Sequence, residues 1–169
     1  AAEKIFFHPI FGIREKVVVG VVDTGVQYTH PDLLAAFSSS PTLYGYDFHN
    51  DDADPMDDNG HGTHVAGLIG ATRDNGTGIC GIMGSGVRLM ALKSQDASGA
   101  GSMASVVNAV RWAADHGVEV LNLSLAAQGK NPALEDAIQY ALSKNVFIVA
   151  AAGNSGEQVT DLNFVAPAG

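Results

Sequence analysis

Cysteine is almost missing from this 169-residue chain: Cys80 stands alone, so no disulfide can form within it. Flanked by Ile79 and Gly81, that thiol reads as a small buried hydrophobe rather than a reactive group. Positive charge is scarce as well. Nine Lys and Arg stand against eighteen Asp and Glu, a formal charge of −9, which argues against a nucleic-acid partner because phosphates need a basic surface. The same surplus of carboxylates suits cations. No apolar run reaches the roughly eighteen residues of a membrane-spanning helix. The amino terminus lacks the basic, apolar and small-residue succession of a signal peptide, so any signal or pro-segment is expected to have been removed or left out. Repeats, low-complexity tracts and linkers are also missing. What remains, with 46% hydrophobic residues, is enough for one domain with a real core.

Four β-rich runs stand out: Val17–Val22, Val87–Leu92, Val118–Leu123 and Val146–Ala151. They are continuous rather than alternating, as parallel strands covered on both faces should be. Between the second and third, Met103, Val106, Val107, Val110 and Ala114 recur at helical spacing after Ser102, a good N-cap, and Gly117 suits the stop. Between the third and fourth, Asn131 caps, Pro132 takes the first position, and Leu134, Ala137, Ile138, Ala141 and Leu142 form one stripe. Glu135 and Asp136 complement the dipole at that helix's start. Alternating strands and helices predict an α/β fold with a parallel sheet, whose ligand sits beyond the carboxyl ends of the strands. Asp23, Ser124 and the turn Ala151–Asn154 all fall at such ends.

Asp23-Thr24-Gly25 alone reads equally as a turn closed by an Asx hydrogen bond. His61-Gly62-Thr63-His64 alone reads as a helix start with one histidine capping and one packed. Histidines three apart could also share a metal, but the glutamate and wider spacing of the His-Glu-x-x-His zinc motif are lacking. Taken together and in this order, an aspartate ending an apolar strand and a histidine opening a Gly-rich helix are the orienting acid and general base of an Asp, His, Ser triad. With Asp58-Asn59-Gly60-His61-Gly62-Thr63-His64-Val65-Ala66-Gly67, these residues closely resemble the subtilisin-like serine proteases, the S8 family of subtilases. The resemblance runs from Val17 to Pro167 and implies a three-layer fold around a parallel central sheet. It makes His61 the base and leaves His64 a structural residue on the buried side of the helix.

The same resemblance gives Asn154, in Val149-Ala150-Ala151-Ala152-Gly153-Asn154, the side-chain half of an oxyanion hole; without it the segment reads as an Asn-Ser-Gly turn. Ser98, Gly99, Ala100 and Gly101 match the stretch whose backbone pairs with an extended substrate. Ser124, Leu125 and Ala126 match the segment facing it, and Ala151, Ala152 and Gly153 would wall an apolar first pocket. Ala126-Ala127 replaces the family's usual pair of glycines, a change expected to narrow that pocket. The family's nucleophile motif, Gly-Thr-Ser-Met-Ala, does not occur before Gly169. Gly101-Ser102-Met103-Ala104 looks like a shortened form of it but precedes Asn154, where the family's serine follows, and it reads as a helix cap.

Six carboxylates, those of Asp47, Asp51, Asp52, Asp54, Asp57 and Asp58, crowd one segment. A solvated acidic run is one reading, and hard oxygen ligands for calcium are the other. The resemblance to thermitase-like members places calcium on Asp47, Asp52 and Asp54. A second site is implied at Asp32 with the loop 72–79, where one extra residue leaves the choice between Asp74 and Asn75 open. Residues 1–169 are thus expected to be an incomplete peptidase catalytic domain, inactive alone, acting on peptide or protein once complete. The alternative is a non-catalytic pseudoprotease or peptide-binding module; a chain ending in a Pro-Ala-Gly turn favours truncation or cleavage. A complementary carboxyl-terminal chain and an inhibitory pro-segment are the implied partners, and a secreted or vesicular location follows from the resemblance alone.

Overall fold

The computed structural model describes residues 16–37, 44–128, 130–154 and 165–166. Its centre is a five-stranded parallel sheet of β1 (Val17–Asp23), β2 (Gly45–Asp47), β3 (Val87–Lys93), β4 (Val120–Leu123) and β6 (Phe147–Ala150). The spatial order is β2-β3-β1-β4-β6, so the first described strand lies in the middle, and the following strands fill one side and then the other. Carboxyl ends of β1, β3 and β4 therefore meet at the point where the strand order reverses, the usual place for a site in an open α/β sheet. Two-residue strands β5 (Ala127–Gln128) and β7 (Val165–Ala166) pair separately and antiparallel.

Each run of apolar residues was long enough to be buried on both faces, and β1 and β3 are. On one face Val19 and Val21 of β1 with Leu89 and Ala91 of β3 pack against Ala66 of α1 (His61–Gly70). On the other face Val22, Met90, Leu92, Leu121 and Leu123 meet α2 (Met103–Asp115) and α3 (Pro132–Ser143) through Val106, Val110, Leu134 and Ala137. Three layers result. The expected caps form: Ser105 N–H donates to Ser102 Oγ at 3.0 Å, and Leu134 N–H donates to Asn131 Oδ1 at 3.1 Å. Pro132 opens α3, where its missing N–H leaves no bond unmade.

Three readings need correction. β6 is not covered on both faces: it is the last strand of the sheet, and Phe147 and Val149 are exposed among the described residues. The strands expected from Val118 and Val146 begin two residues and one residue later, at Val120 and Phe147. Cys80 is exposed, because the loop after α1 faces it outward beside exposed Ile79 and Ile82. β2 was not anticipated at all.

Leu121 lies fully buried between β1 and the second helical layer. Leu121→Ala should lower unfolding free energy by about 2–5 kcal/mol, read from urea denaturation of this chain. A loss below about 1 kcal/mol would show that this layer does not form a packed core.

Candidate active site

β1 delivers Asp23 to the sheet's carboxyl end with no solvent exposure. Thr24 N–H donates to Asp23 Oδ1 at 2.7 Å, and His61 Nδ1 meets the same oxygen at 2.7 Å. The imidazole is half exposed, so its other nitrogen is open to a reacting group while the first is held by the buried acid. Close approach of the helix to the strand depends on Gly62. A Cβ there would lie 2.1 Å from the Gly25 carbonyl oxygen and 3.0 Å from Asp23 Cβ.

Three successive side chains before His61 fix the start of α1. Gly60 occupies the N-cap in a left-handed conformation (φ 105°) and offers no side-chain acceptor. Asp57 serves instead: Oδ1 accepts from Gly60 N–H at 2.9 Å, Asn59 N–H at 3.0 Å and Thr24 Oγ1 at 2.9 Å, and Oδ2 accepts from Thr63 N–H at 2.9 Å. Thr24 Oγ1 in turn accepts from Gly62 N–H at 2.9 Å, closing the link between strand and helix. Burial alone would raise the Asp57 carboxyl, but donors from Gly60, Thr63 and Asn59 outweigh it and hold the group below the ordinary carboxylate range. Asp58 accepts from Lys93 Nζ at 2.6 Å. Asn59 accepts from His61 N–H at 3.1 Å and donates to the Ala97 carbonyl at 2.9 Å.

That last bond joins the histidine's helix to the expected substrate strand. Ser98, Gly99, Ala100 and Gly101 form an exposed turn closed by Asp96, whose Oδ1 accepts from Ser98 N–H, Ser98 Oγ and Ala100 N–H. Those bonds, the Ser98 hydroxyl first, hold the Asp96 carboxyl low. Gly101 pairs with Gln95, and a Cβ on it would sit 2.2 Å from the Ser94 carbonyl oxygen. Beyond β4, Ser124 accepts from Asn122 Nδ2 at 2.9 Å, Leu125 is buried and Ala126 exposed. Ala151 N–H donates to the Leu123 carbonyl at 3.1 Å, so Ala151, Ala152, Gly153 and Asn154 leave β6 beside that segment. Asn154 is exposed there. Ser102 sits elsewhere, its hydroxyl capping α2 and 2.8 Å from Ser105 Oγ.

The family model for subtilases, peptidase S8, matches residues 14–168. The chain belongs to the subtilase family. It is 46% identical over 142 residues to a thermophilic serine proteinase of Bacillus sp. (strain AK1), covering 84% of this chain and 34% of that protein. It is 41% identical over 138 residues to thermitase from Thermoactinomyces vulgaris, covering 82% and 47%. A crystal structure of a cold-adapted subtilisin-like serine proteinase superposes with a TM-score of 0.75 at 35% identity, covering 91% of this chain and 51% of the other. This chain thus spans a third to a half of the length of these relatives.

For a subtilase, one histidine is placed differently from the expectation. His64 is exposed, not buried, because α1 packs through Gly62, Ala66, Gly67 and Gly70, and His64 and Leu68 share the opposite side. With Gln27, His30, Asp57, Asn59 and Thr63 it lines an open hollow beside the helix start.

The residues expected to hold calcium fall into two unequal sets. Asp32 is buried and anchors the loop after α1: Asn75 Nδ2 lies 2.7 Å from Oδ1, Ile79 N–H donates to Oδ2 at 2.9 Å, and Thr72 N–H donates to the Asp32 carbonyl. Those donors, Ile79 first, keep the carboxyl low. Asn75 is at this site, while Asp74 occupies a left-handed turn position (φ 56°) with its side chain off the Asp32 carboxylate. The groups around this carboxylate are N–H donors, and the Asn75 amide oxygen accepts from Thr77 N–H, so a hard cation there would have to displace these hydrogen bonds and turn the Asn75 oxygen inward. In the other set Asp47 is buried and closes its own turn, accepting from His49 N–H, Asn50 N–H and Asn50 Nδ2. Asp52 accepts from Asp54 N–H, and Asp54 from Tyr28 Oη at 2.8 Å. Burial and that hydrogen bond push the Tyr28 phenol up to about 12. Among the described residues no three His, Cys, Asp or Glu side chains converge as a metal cluster, in either set.

Because Asp57 is held low in the folded state, it stabilises the fold above its unfolded value near about 4, and that contribution is lost as pH falls through the folded value. Asp57→Asn should flatten the fall in urea midpoint between about pH 5 and pH 3, with Asp32 and Asp96 retaining part of the slope. An acid response identical to the unsubstituted chain would contradict the capping role.

Proposed function

We propose that this chain is the amino-terminal part of the catalytic domain of a subtilisin-like serine endopeptidase, supplying all of the triad except its nucleophile. The observation that carries this is the 2.7 Å contact between a half-exposed His61 and a wholly buried Asp23. Asp23 fixes the imidazole with its free nitrogen outward, ready to take a serine's proton and return it to the leaving amine. The serine belongs to the carboxyl-terminal part of the enzyme, outside these residues. Asn154, at the end of β6, would donate to the oxyanion. Ser98, Gly99, Ala100 and Gly101 would pair with the substrate backbone opposite Ser124, Leu125 and Ala126. Ala151, Ala152 and Gly153 would form an apolar pocket, so the substrate is a peptide or protein held in extended form. Family resemblance supports a secreted or vesicular enzyme with a pro-segment, and no described helix is long and apolar enough to cross a membrane.

Residues 1–169 alone should hydrolyse a chromogenic peptide no faster than background, and the complete parent should turn it over. In the parent, His61→Ala should reduce kcat by several orders of magnitude with the melting temperature kept; subtilisin is itself the measured case for losses of that size. An inactive parent that still binds extended peptides through residues 98–101 would instead mark a non-catalytic binding module.

Calcium is the proposed cofactor, which Asp32 with Asn75 of the loop 72–79 would hold at one place and Asp47, Asp52 and Asp54 at another. When bound it would supply structural charge balance and tie down loops on either side of α1. A ligand at a hundredfold excess over Kd stabilises by roughly 2.7 kcal/mol, so chelation should lower the parent's melting temperature. Asp52→Asn with Asp54→Asn should weaken that response without abolishing it. An unchanged melting temperature in metal-free parent would remove calcium from the proposal.

A further inference from the structure

Among the described residues the largest side chain buried from solvent is a lysine. Lys93 ends β3 at 1% exposure, although an ammonium group loses heavily on leaving water unless its protons are directed at acceptors. Its Nζ donates to the Thr24 carbonyl at 2.7 Å and to Asp58 Oδ1 at 2.6 Å. The first acceptor is one residue past Asp23, and the second is three residues before His61. Lys93 is also the register partner of Asp23 on the neighbouring strand, so their Cα atoms are about 4.8 Å apart and both side chains leave the face covered by α1. On that face Asp23 Oδ2 is buried with no donor among the described residues. Filling the space alone would be done better by methionine, which has similar length and no charge to desolvate.

We propose that Lys93 is a positioning residue for the Asp23–His61 pair. Its ammonium draws the end of β1 and the segment opening α1 to one point, and its charge balances the undonated oxygen of Asp23 through space. The proposal rests on the endopeptidase reading for its kinetic consequence, while its structural consequence stands apart from catalysis.

The test uses the complete parent enzyme with Lys93→Met, Lys93→Arg and Asp58→Asn. Two measurements are made: the kinetics, as kcat per titrated active site and KM on a short peptide, and the low-field proton resonance of the bond between His61 and Asp23. Lys93→Met should lower kcat by about 10–100-fold, the scale of a slightly misplaced catalytic group, with KM within about twofold and the low-field resonance broadened or lost. Lys93→Arg, which keeps the charge, should restore most of kcat. Asp58→Asn, whose side chain is half exposed, should cause a smaller loss in the same direction and serves if Lys93→Met does not fold. Folded Lys93→Met with kcat per active site and resonance both as in the parent would overturn the proposal. So would Asp58→Asn with neither changed. If the unsubstituted parent hydrolyses nothing, the endopeptidase reading fails, and the resonance alone then decides for or against Lys93.

Discussion

Taking the Asp23 carboxylate out of water is unfavourable unless donors are fixed around it, and most of the site is the means of fixing them. Thr24 N–H and His61 Nδ1 both address Oδ1. Thr24 reaches that geometry because its hydroxyl is tied to Asp57 and to Gly62 N–H. His61 reaches it because Gly62 lets the helix start lie against Gly25, where any side chain would collide. One buried charge therefore sets the strand end, the helix position and the residue type beside the histidine. A half-exposed imidazole with one nitrogen constrained and the other free follows from these packing requirements, before any substrate is considered.

The sheet makes this possible by dividing its two faces. Odd-numbered residues of β1 and β3 face α1, and even-numbered residues face α2 and α3. Asp23 and Lys93 continue the odd series past the apolar part of their strands, so the same alternation that builds one core layer presents both charges to α1. The central place of β1 adds the rest. β3 on one side and β4 on the other carry the turn at Ser98, Gly99, Ala100 and Gly101 and the segment Ser124, Leu125 and Ala126 to the same end of the sheet as Asp23.

Much of this was legible in the sequence, and the failures share a cause. β1, β3, α2 and α3 were readable because long periodic patterns and caps are local signals. β2 was not, since Gly45-Tyr46-Asp47 is too short for any pattern, and β5 and β7 have two residues each. Burial of Cys80 and His64 was misjudged because neighbours in sequence do not tell which face of a loop or helix is covered. Asp23 and His61 could be paired from motif order, but Asp57 was read only as a member of an acidic run, and Asp58 as that and as the first residue of the motif around His61. Asp57 had a faint signal, an aspartate three residues before a glycine that opens a helix without a capping side chain. Lys93 had none: a lysine ending a buried strand shows its purpose only when Thr24 and Asp58 are seen to converge on it.

The acidic segment shows how dense like charge can be ordered without being neutralised. Asp47 is satisfied by His49 and Asn50, Asp51 by Tyr46, Asp52 by the Asp54 amide, Asp54 by Tyr28 and Asp57 by the start of α1. The hydrogen bond to Asp51 also raises the Tyr46 phenol, and burial together with the bond to Asp54 raises that of Tyr28, since a phenolate there would face a carboxylate. Neutral donors orient a carboxylate but leave its field standing. Within this segment only Asp58 has a formal counter-charge, from Lys93. The remaining repulsion lies just upstream of His61, so the segment gains from a cation even where its geometry does not by itself define a metal site. Order and charge balance are separate requirements here, and the protein's own side chains meet the first more fully than the second.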